Sequence, residues 1–291
     1  MSLIDLHRDA RRKRHVSEER LAERLALVTD LDRDRRCRDP IDNLVPAVLD
    51  RWAEISEQLG GGDGGELQAT GDRRPKFCSA YSSCALAVNS FGVFAGAGAG
   101  APALALPGVG RFAGPVAFEA QRSAGTRGYK PNLDVVAEPE HGDWLFVESK
   151  CLEYLRFHAM AFSAAYVARA HELLSAPTAA AYARFASGQD GSRLLDAPQL
   201  LKHFLAAKVA AAGRRRVILA YIYWEPEDAG RLPLFATHRE EAQRLAAMLI
   251  DDDVRLVTLS YPQLWASWER LGDPALSAHV ATLRARYAIT L

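Results

Sequence analysis

The sequence predicts an α/β protein built on one mixed sheet, and three observations carry that expectation. Two short runs, Asn132–Ala137 and Trp144–Lys150, are rich in β-branched or aromatic residues and flank a stretch containing Pro and Gly, as the strands of a hairpin do. The run Val217–Trp224 is apolar throughout, the pattern of a central strand buried on both faces. Helical patterns precede, separate and follow these runs, so helices must cover a sheet.

Taken in order, the first forty residues alternate in charge and predict a solvated helix over Ser17–Thr29. A second helix is expected from Pro40 to Leu59, where Leu44, Val48, Trp52 and Ile55 share a stripe. Gly60–Gly65 then reads as a flexible linker. On this pattern residues 1–72 form a helical arm with its linker, and residues 73–291 an α/β domain. A short helix over Ser82–Phe91 opens that domain, followed by a Gly/Ala-rich mobile loop, Gly92–Gly114. Pro115–Gln121 is a strand, and Gly125–Gly128 turns the chain into the hairpin. Tyr154–Leu174 and Ala179–Ala186 read as a helical insertion. Asp196-Ala197-Pro198 starts a helix, with Asp as cap and Pro in the first turn, that runs to Gly213. After Val217–Trp224 come a helix (Arg239–Ile250), a strand (Val254–Leu259) and terminal helices.

Bulk composition narrows the class. Lys+Arg and Asp+Glu both number 36, so the net charge is zero, whereas dedicated nucleic-acid-binding domains are commonly basic overall. Cys37, Cys78, Cys84 and Cys151 show no CxxC spacing, which points to reduced thiols and against a zinc site. Phe77–Gly110 carries no charge, but its Gly and Pro residues interrupt any apolar helix of about 20 residues, so no membrane span is expected. With a charged N-terminal segment, the expected location is cytoplasmic.

The candidate chemistry sits at the hairpin. Of the six lysines, only Lys150 has an acid two residues before it, in Glu148-Ser149-Lys150. If the hairpin is symmetric about His141, Asp134 and Glu148 oppose each other, and opposed Cβ atoms stand about 5 Å apart. Alternation puts Glu148 and Lys150 on one face. Carboxylates so close repel unless a proton or cation lies between them, and a hard divalent cation beside an ammonium fits best. That makes the chain a candidate metal-dependent phosphodiesterase.

The signature Pro131-Asn132-Leu133-Asp134, thirteen residues, then Glu148-Ser149-Lys150 resembles the PD-(D/E)XK nuclease superfamily, also called restriction-endonuclease-like, in its bacterial restriction-endonuclease type. Asn132-Leu133 departs from the nominal Pro-Asp pair. The resemblance covers roughly Ser82 to Trp224. It implies a three-layer sandwich with an αβββαβ core, here with an N-terminal helical arm and a C-terminal α/β extension. It further implies Mg²⁺, with Mn²⁺ as substitute, held by Asp134, Glu148 and the Ser149 carbonyl, and Lys150 acting on the attacking water or the transition state. Glu119 is implied as an added acid and Gln199 as a helix residue contacting the site. Arg122, Arg127, Lys130 and Lys202 are candidates for substrate phosphates. The implied partner is nucleic acid, DNA foremost, and the implied assembly a homodimer.

Plainer readings stand beside these. Asp134 and Glu148 also fit a solvent-exposed edge pair in which Lys150 contributes little. Glu119 also reads as a surface residue, and Gln199, Lys202 and His203 as the wet face of an amphipathic helix. Arg214–Arg216 also fit a helix C-terminal charge cluster. A catalytically inactive module that keeps the fold to bind nucleic acid or a protein partner is the alternative to the enzyme.

Overall fold

The computed structural model describes residues 3–61, 65–96, 103–126, 130–156 and 162–291. Five strands form one sheet: β3 (Val116–Gln121), β4 (Asn132–Ala137), β5 (Trp144–Lys150), β6 (Val217–Tyr223) and β7 (Val254–Ser260), in that spatial order. β3, β4 and β5 are antiparallel, while β5, β6 and β7 are parallel. The mixed sheet is the expected one, and β4 and β5 carry the bounds that the sequence predicts. β6 is buried at every position, as a strand covered on both faces must be.

Neighbouring residues of β5 meet different helices. The Ser149 hydroxyl contacts the Tyr261 hydroxyl at 2.7 Å and the Ser83 carbonyl at 3.3 Å, at the starts of α8 (Tyr261–Glu269) and α3 (Ser83–Phe91). Glu148 instead meets His203 of α6 (Ala197–Ala211). Successive side chains of a strand point to opposite faces, so helices lie on both sides of the sheet. Among the described residues no helix is long and apolar enough to cross a membrane. All four cysteines are buried and free.

Where helices depart from expectation, local chemistry accounts for it. α1 spans Leu3–Ala26 rather than starting at Ser17. The Ser17 hydroxyl bonds the Lys13 carbonyl at 2.8 Å inside the helix, and the Arg14–Glu18 pair (2.7 Å) ties successive turns. The helix expected from Pro40 is two 3₁₀ turns, Pro40–Asn43 and Pro46–Arg51, ahead of α2 (Trp52–Gly61). Pro46 disfavours helical backbone at the residue before it, and Val45 is extended at φ −81° and ψ 150°. Part of the loop expected over Gly92–Gly114 is a small hairpin, β1 (Leu104–Leu106) with β2 (Gly110–Phe112), turned at Gly108 with φ 69°. Residues 97–102 of that loop, and 127–128 of the expected turn after Gly125, lie outside the described residues. In the expected insertion, Tyr154 sits in a 3₁₀ turn (Glu153–Leu155), and α4 begins only at Ala164 (Ala164–Leu173). α5 covers Ala176–Ala186, and α6 starts under the Asp196 cap as read from sequence. α7 (Pro233–Met248) begins earlier than expected because Pro233 occupies its first turn, and α9 (Pro274–Tyr287) closes the chain.

Residues of the first seventy pack into the same core as the sheet, among them Leu6, Leu21, Val48 and Ile55. The Gln58 side chain of α2 accepts from the Phe118 N–H (2.8 Å) on edge strand β3. Buried Arg286 of α9 donates to the carbonyls of Leu21 (3.0 Å) and Ala80 (2.8 Å) and to Asn43 Oδ1 (3.2 Å). Three separate segments thus share one guanidinium, whose removal leaves buried oxygens without donors. Arg286→Ala is expected to cost about 3 kcal/mol or more in urea unfolding. A loss below about 1 kcal/mol would show that this contact does not hold the N-terminal segment in place.

Candidate active site

The β4–β5 ladder pairs Val135 with Val147, Val136 with Phe146 and Ala137 with Leu145, which is the register of a hairpin centred on residue 141. Asp134 and Glu148 are the next opposed pair, beyond the last ladder contact. There an Asp134 carboxylate oxygen accepts the Ser149 N–H at 2.6 Å, in place of a backbone carbonyl. The Ser149 carbonyl is directed to the same side of β5, because N–H and C=O of one strand residue point together. Glu148 is 1% exposed; its carboxylate contacts the Lys150 ammonium through one oxygen, and the other lies 3.1 Å from His203 Nδ1. That second Glu148 oxygen and His203 Nδ1 are both buried without a well-aligned hydrogen bond.

β3 brings a third acid. The β3–β4 ladder pairs Phe118 with Val135 and Ala120 with Leu133 but skips the position between, where Glu119 faces Asp134. Glu119 has φ 50°, a left-handed backbone that costs a non-glycine residue about 1 kcal/mol or more. The strain opens the ladder where Glu119, Asp134 and Glu148 stand side by side on three adjacent strands. Asn132 donates to the Glu119 carboxylate at 3.4 Å.

Burial and mutual repulsion set the charge states. The Glu119 carboxyl is pushed up to about 7 by burial and by the carboxylates of Glu66 and Glu148. Asp134 is raised well above the ordinary carboxylate range by burial, Glu148 and Glu119, against the pull of Lys150 and the Ser149 N–H. Burial would raise Glu148 too, but the Lys150 ammonium and His203 outweigh it and hold the carboxyl at about 2. Burial would lower Lys150, yet Glu148, Asp134 and Glu153 raise it, so the ammonium stays charged. Among the described residues, the Lys150 ammonium is the cation in contact with this cluster of three acids.

Of the expected site residues, Asp134, Glu148, Ser149, Lys150 and Glu119 come together at one end of β3, β4 and β5. None of the acids is a freely solvated edge residue: Glu119 is 8% exposed and Glu148 almost fully buried. Gln199 lies on the first turn of α6, four residues before His203 and so on the same helix face. His203 is buried rather than on a wet face, as α6 is apolar nearly all round. It is the helix residue that reaches Glu148, and its signal was the spacing to Gln199.

The candidate phosphate contacts scatter. Lys202 lies over the rings of Phe162 (5.9 Å) and Tyr166 (5.7 Å), turned toward α4. Arg122 is held by Glu138 at 2.6 and 3.1 Å and covers Phe146. Lys130 is exposed, and Arg127 lies outside the described residues. In the arginine cluster, Arg216 pairs with Asp143 at 2.6 Å and Arg215 covers Trp144, at the hairpin turn rather than at the site. Two further acids act here without a sequence signal. Glu153 accepts the Cys151 N–H at 2.7 Å just past Lys150, and Glu66 follows the Gly-rich stretch.

The family model described as Restriction Endonuclease associating with ARP (REase-ARP) matches residues 35–288, most of the chain. The chain belongs to this family. No curated protein and no solved structure matches it. Membership of REase-ARP identifies a restriction-endonuclease-related protein, and its match takes in every residue of the acid cluster.

The donor chemistry of this REase-ARP chain suits a hard cation: crowded carboxylates with raised pKa values, a Glu148 oxygen that lacks a well-aligned hydrogen bond, and the Ser149 carbonyl. Among the described residues no three His, Cys, Asp or Glu side chains form a ready cage. Mg²⁺ commonly takes only one or two carboxylates, with waters and phosphate oxygens completing its shell.

A raised Glu119 has a consequence for stability. The unfolded chain ionises this carboxyl near 4.5, the fold only near 7, so its contribution is complete below 4.5 and is lost as pH rises to 7. Asp134 adds to the same slope. In chelator, wild type is expected to lose roughly 2 kcal/mol more stability to urea between pH 5 and pH 8 than Glu119→Gln does. Identical pH dependence in both proteins would exclude Glu119 as the titrating group.

Proposed function

We propose that this chain is a Mg²⁺-dependent nuclease of the PD-(D/E)XK type that hydrolyses phosphodiester bonds, DNA foremost. The observation that carries the reading is the opposition of Asp134 and Glu148 at the open end of the ladder, with Lys150 on the face of Glu148. The family membership supports a nuclease, and the order of antiparallel and parallel strands suits this superfamily's core.

In this reading Asp134, Glu148 and the Ser149 carbonyl hold the cation, with Mn²⁺ as a substitute. When bound, Mg²⁺ would supply Lewis-acid polarisation of the scissile phosphate and a water of lowered pKa. The chain's own groups do the rest. Lys150, charged at neutral pH, places an ammonium where negative charge grows on the phosphoryl oxygens, and a compact ammonium suits that task better than a guanidinium. Glu119, with a carboxyl near 7, is matched to accept a proton at neutral pH. His203 keeps Glu148 oriented from α6, and Gln199 stands one turn earlier on that helix face.

A second reading has an observation in its favour: Glu148 is already contacted by Lys150 and His203, so the cluster can exist as a closed ion-pair network. In that case the chain is an inactive module that binds nucleic acid or a protein partner. Plasmid cleavage with Mg²⁺ or Mn²⁺, against EDTA, separates the two. Lys150→Ala and Asp134→Asn are each expected to slow cleavage by about a hundredfold or more. Cleavage by Lys150→Ala at the wild-type rate would remove the assigned site. Calorimetric heat from Mg²⁺ that vanishes in Asp134→Asn supports the cation site, whereas no heat with wild type favours the inactive module.

A further inference from the structure

Beside the acid cluster lies a cleft of about 490 Å³ whose walls come from the N-terminal segment, from residues 73–83 and from the chain leaving β5. Its lining carries six cations, Arg14, Arg36, Arg73, Arg74, Lys76 and Arg156, against three carboxylates, Asp34, Glu66 and Glu153, in a chain of zero net charge. The cleft adjoins the end of β5 directly. Ser83, on its lining, accepts from the Ser149 hydroxyl, and Glu153 accepts the Cys151 N–H, so two cleft residues hold the positions flanking Lys150. Arg14 of α1 donates to the Leu152 carbonyl at 3.1 Å. Electrostatically the two regions are one: Glu66 and Lys76 act on Glu119, and Glu153 acts on Lys150.

Arg14 pairs with Glu18 at 2.7 Å and Arg74 lies 3.4 Å from Asp32, carboxylates outside the lining, whereas Arg36, Arg73 and Arg156 keep donors to spare. Arg36 and Arg74 donate to each other's backbone carbonyl, which fixes both guanidiniums while leaving further N–H groups of each to spare. Arg73 meets Asp34 only at 3.4 Å and is 66% exposed, a pairing that a phosphate readily replaces. Arg156 is exposed on the segment that leaves β5. Guanidiniums with several fixed donors are the groups that recognise phosphate oxygens.

We propose that this cleft is the site for the sugar-phosphate backbone of a nucleic-acid strand, holding the nucleotides next to the scissile bond, and that the N-terminal segment thereby forms part of the substrate site. The inference rests on the nuclease reading for the position of the scissile bond, but the binding itself does not require cleavage. The volume suits one or two nucleotides of a strand rather than the full width of a duplex. Neutral overall charge is no obstacle, since the lining's exposed guanidiniums, Arg73 and Arg156 among them, stand beside the acids that would cut.

Fluorescence anisotropy in EDTA, with labelled single-stranded and duplex oligonucleotides, tests this without cleavage. The full chain is compared with the Arg73→Glu/Arg156→Glu double variant and with Arg214→Glu, a charge reversal at the remote hairpin turn; circular dichroism checks each fold. The double variant is expected to bind at least tenfold more weakly, with the slope of log affinity against log salt reduced by about two contacts' worth, about 0.7–0.9 each. Arg214→Glu is expected to stay within about threefold. A loss larger for the single strand than for the duplex identifies a strand as the occupant. Equal binding by wild type and double variant, an equal loss in Arg214→Glu, or no binding by wild type would each overturn the cleft. Wild type that binds through the cleft but cleaves nothing supports the cleft and removes the nuclease reading instead.

Discussion

Three carboxylates held side by side by the register of three strands are the constraint on which the rest of the site depends. The sheet fixes them: Glu119, Asp134 and Glu148 occupy opposed positions on β3, β4 and β5, and the ladders on either side do not let them separate. Such an arrangement is unfavourable by itself, and the chain relieves it in three ways. The Lys150 ammonium neutralises Glu148, whose other oxygen lies against His203. The Ser149 N–H satisfies one oxygen of Asp134. Glu119 keeps a proton until near neutral pH. These devices are partial, because a single ammonium cannot serve three acids in a poorly hydrated place. What remains is an unrelieved repulsion, which under the proposed function a bound cation would offset.

The strain at Glu119 belongs to the same logic. A left-handed glutamate in the middle of a strand weakens the ladder locally, and any ordinary β residue there would pair better. Its effect is to interrupt the β3–β4 ladder opposite Asp134, between the Phe118–Val135 and Ala120–Leu133 pairs. Strained backbone beside clustered acids is more often kept for function than for stability. The buried imidazole of His203 fits the pattern, since it braces Glu148 from α6 at a position an apolar side chain would fill at lower cost in desolvation.

Much of the sheet was legible in the chain because period-2 patterning and turn residues are local signals. Asn132–Ala137 and Trp144–Lys150 showed both, and the pairing of Asp134 with Glu148 followed from counting outward from His141. Val217–Trp224 was legible because a strand covered on both faces has no polar side to confuse it. Helix ends were less so: Pro46 broke a pattern that reads as one helix, and Ser17, a residue type that caps helices, lies inside one. What the sequence concealed was contact between distant segments. Nothing local marks Glu66 as a neighbour of Glu119, and the wet-face reading of His203 failed because α6 is enclosed by α4, α5 and the sheet. The positive φ of Glu119 had no signal at all, since glutamate is among the residues least expected there.

The place of the N-terminal segment follows from the same distinction between local and distant contact. A charge-alternating helix and a Gly-rich stretch look like an appendage, yet Arg286 and Gln58 tie that segment to α9 and to the edge of β3, and Arg14 ties it to the residue after Cys151. The segment that carries these arginines is therefore held beside the end of β5. Positive charge beside a carboxylate cluster has two opposing effects: it lowers the cluster's affinity for a cation and raises the local concentration of a polyanion. The distribution of charge favours the second, because the arginines line a neighbouring cleft while Lys150 contacts the cluster itself. A polyanion entering the cleft would screen the arginines and bring its own oxygens toward the acids. Cation and polyanion would then each strengthen the other's binding, since the charge of each offsets the repulsion that the other meets.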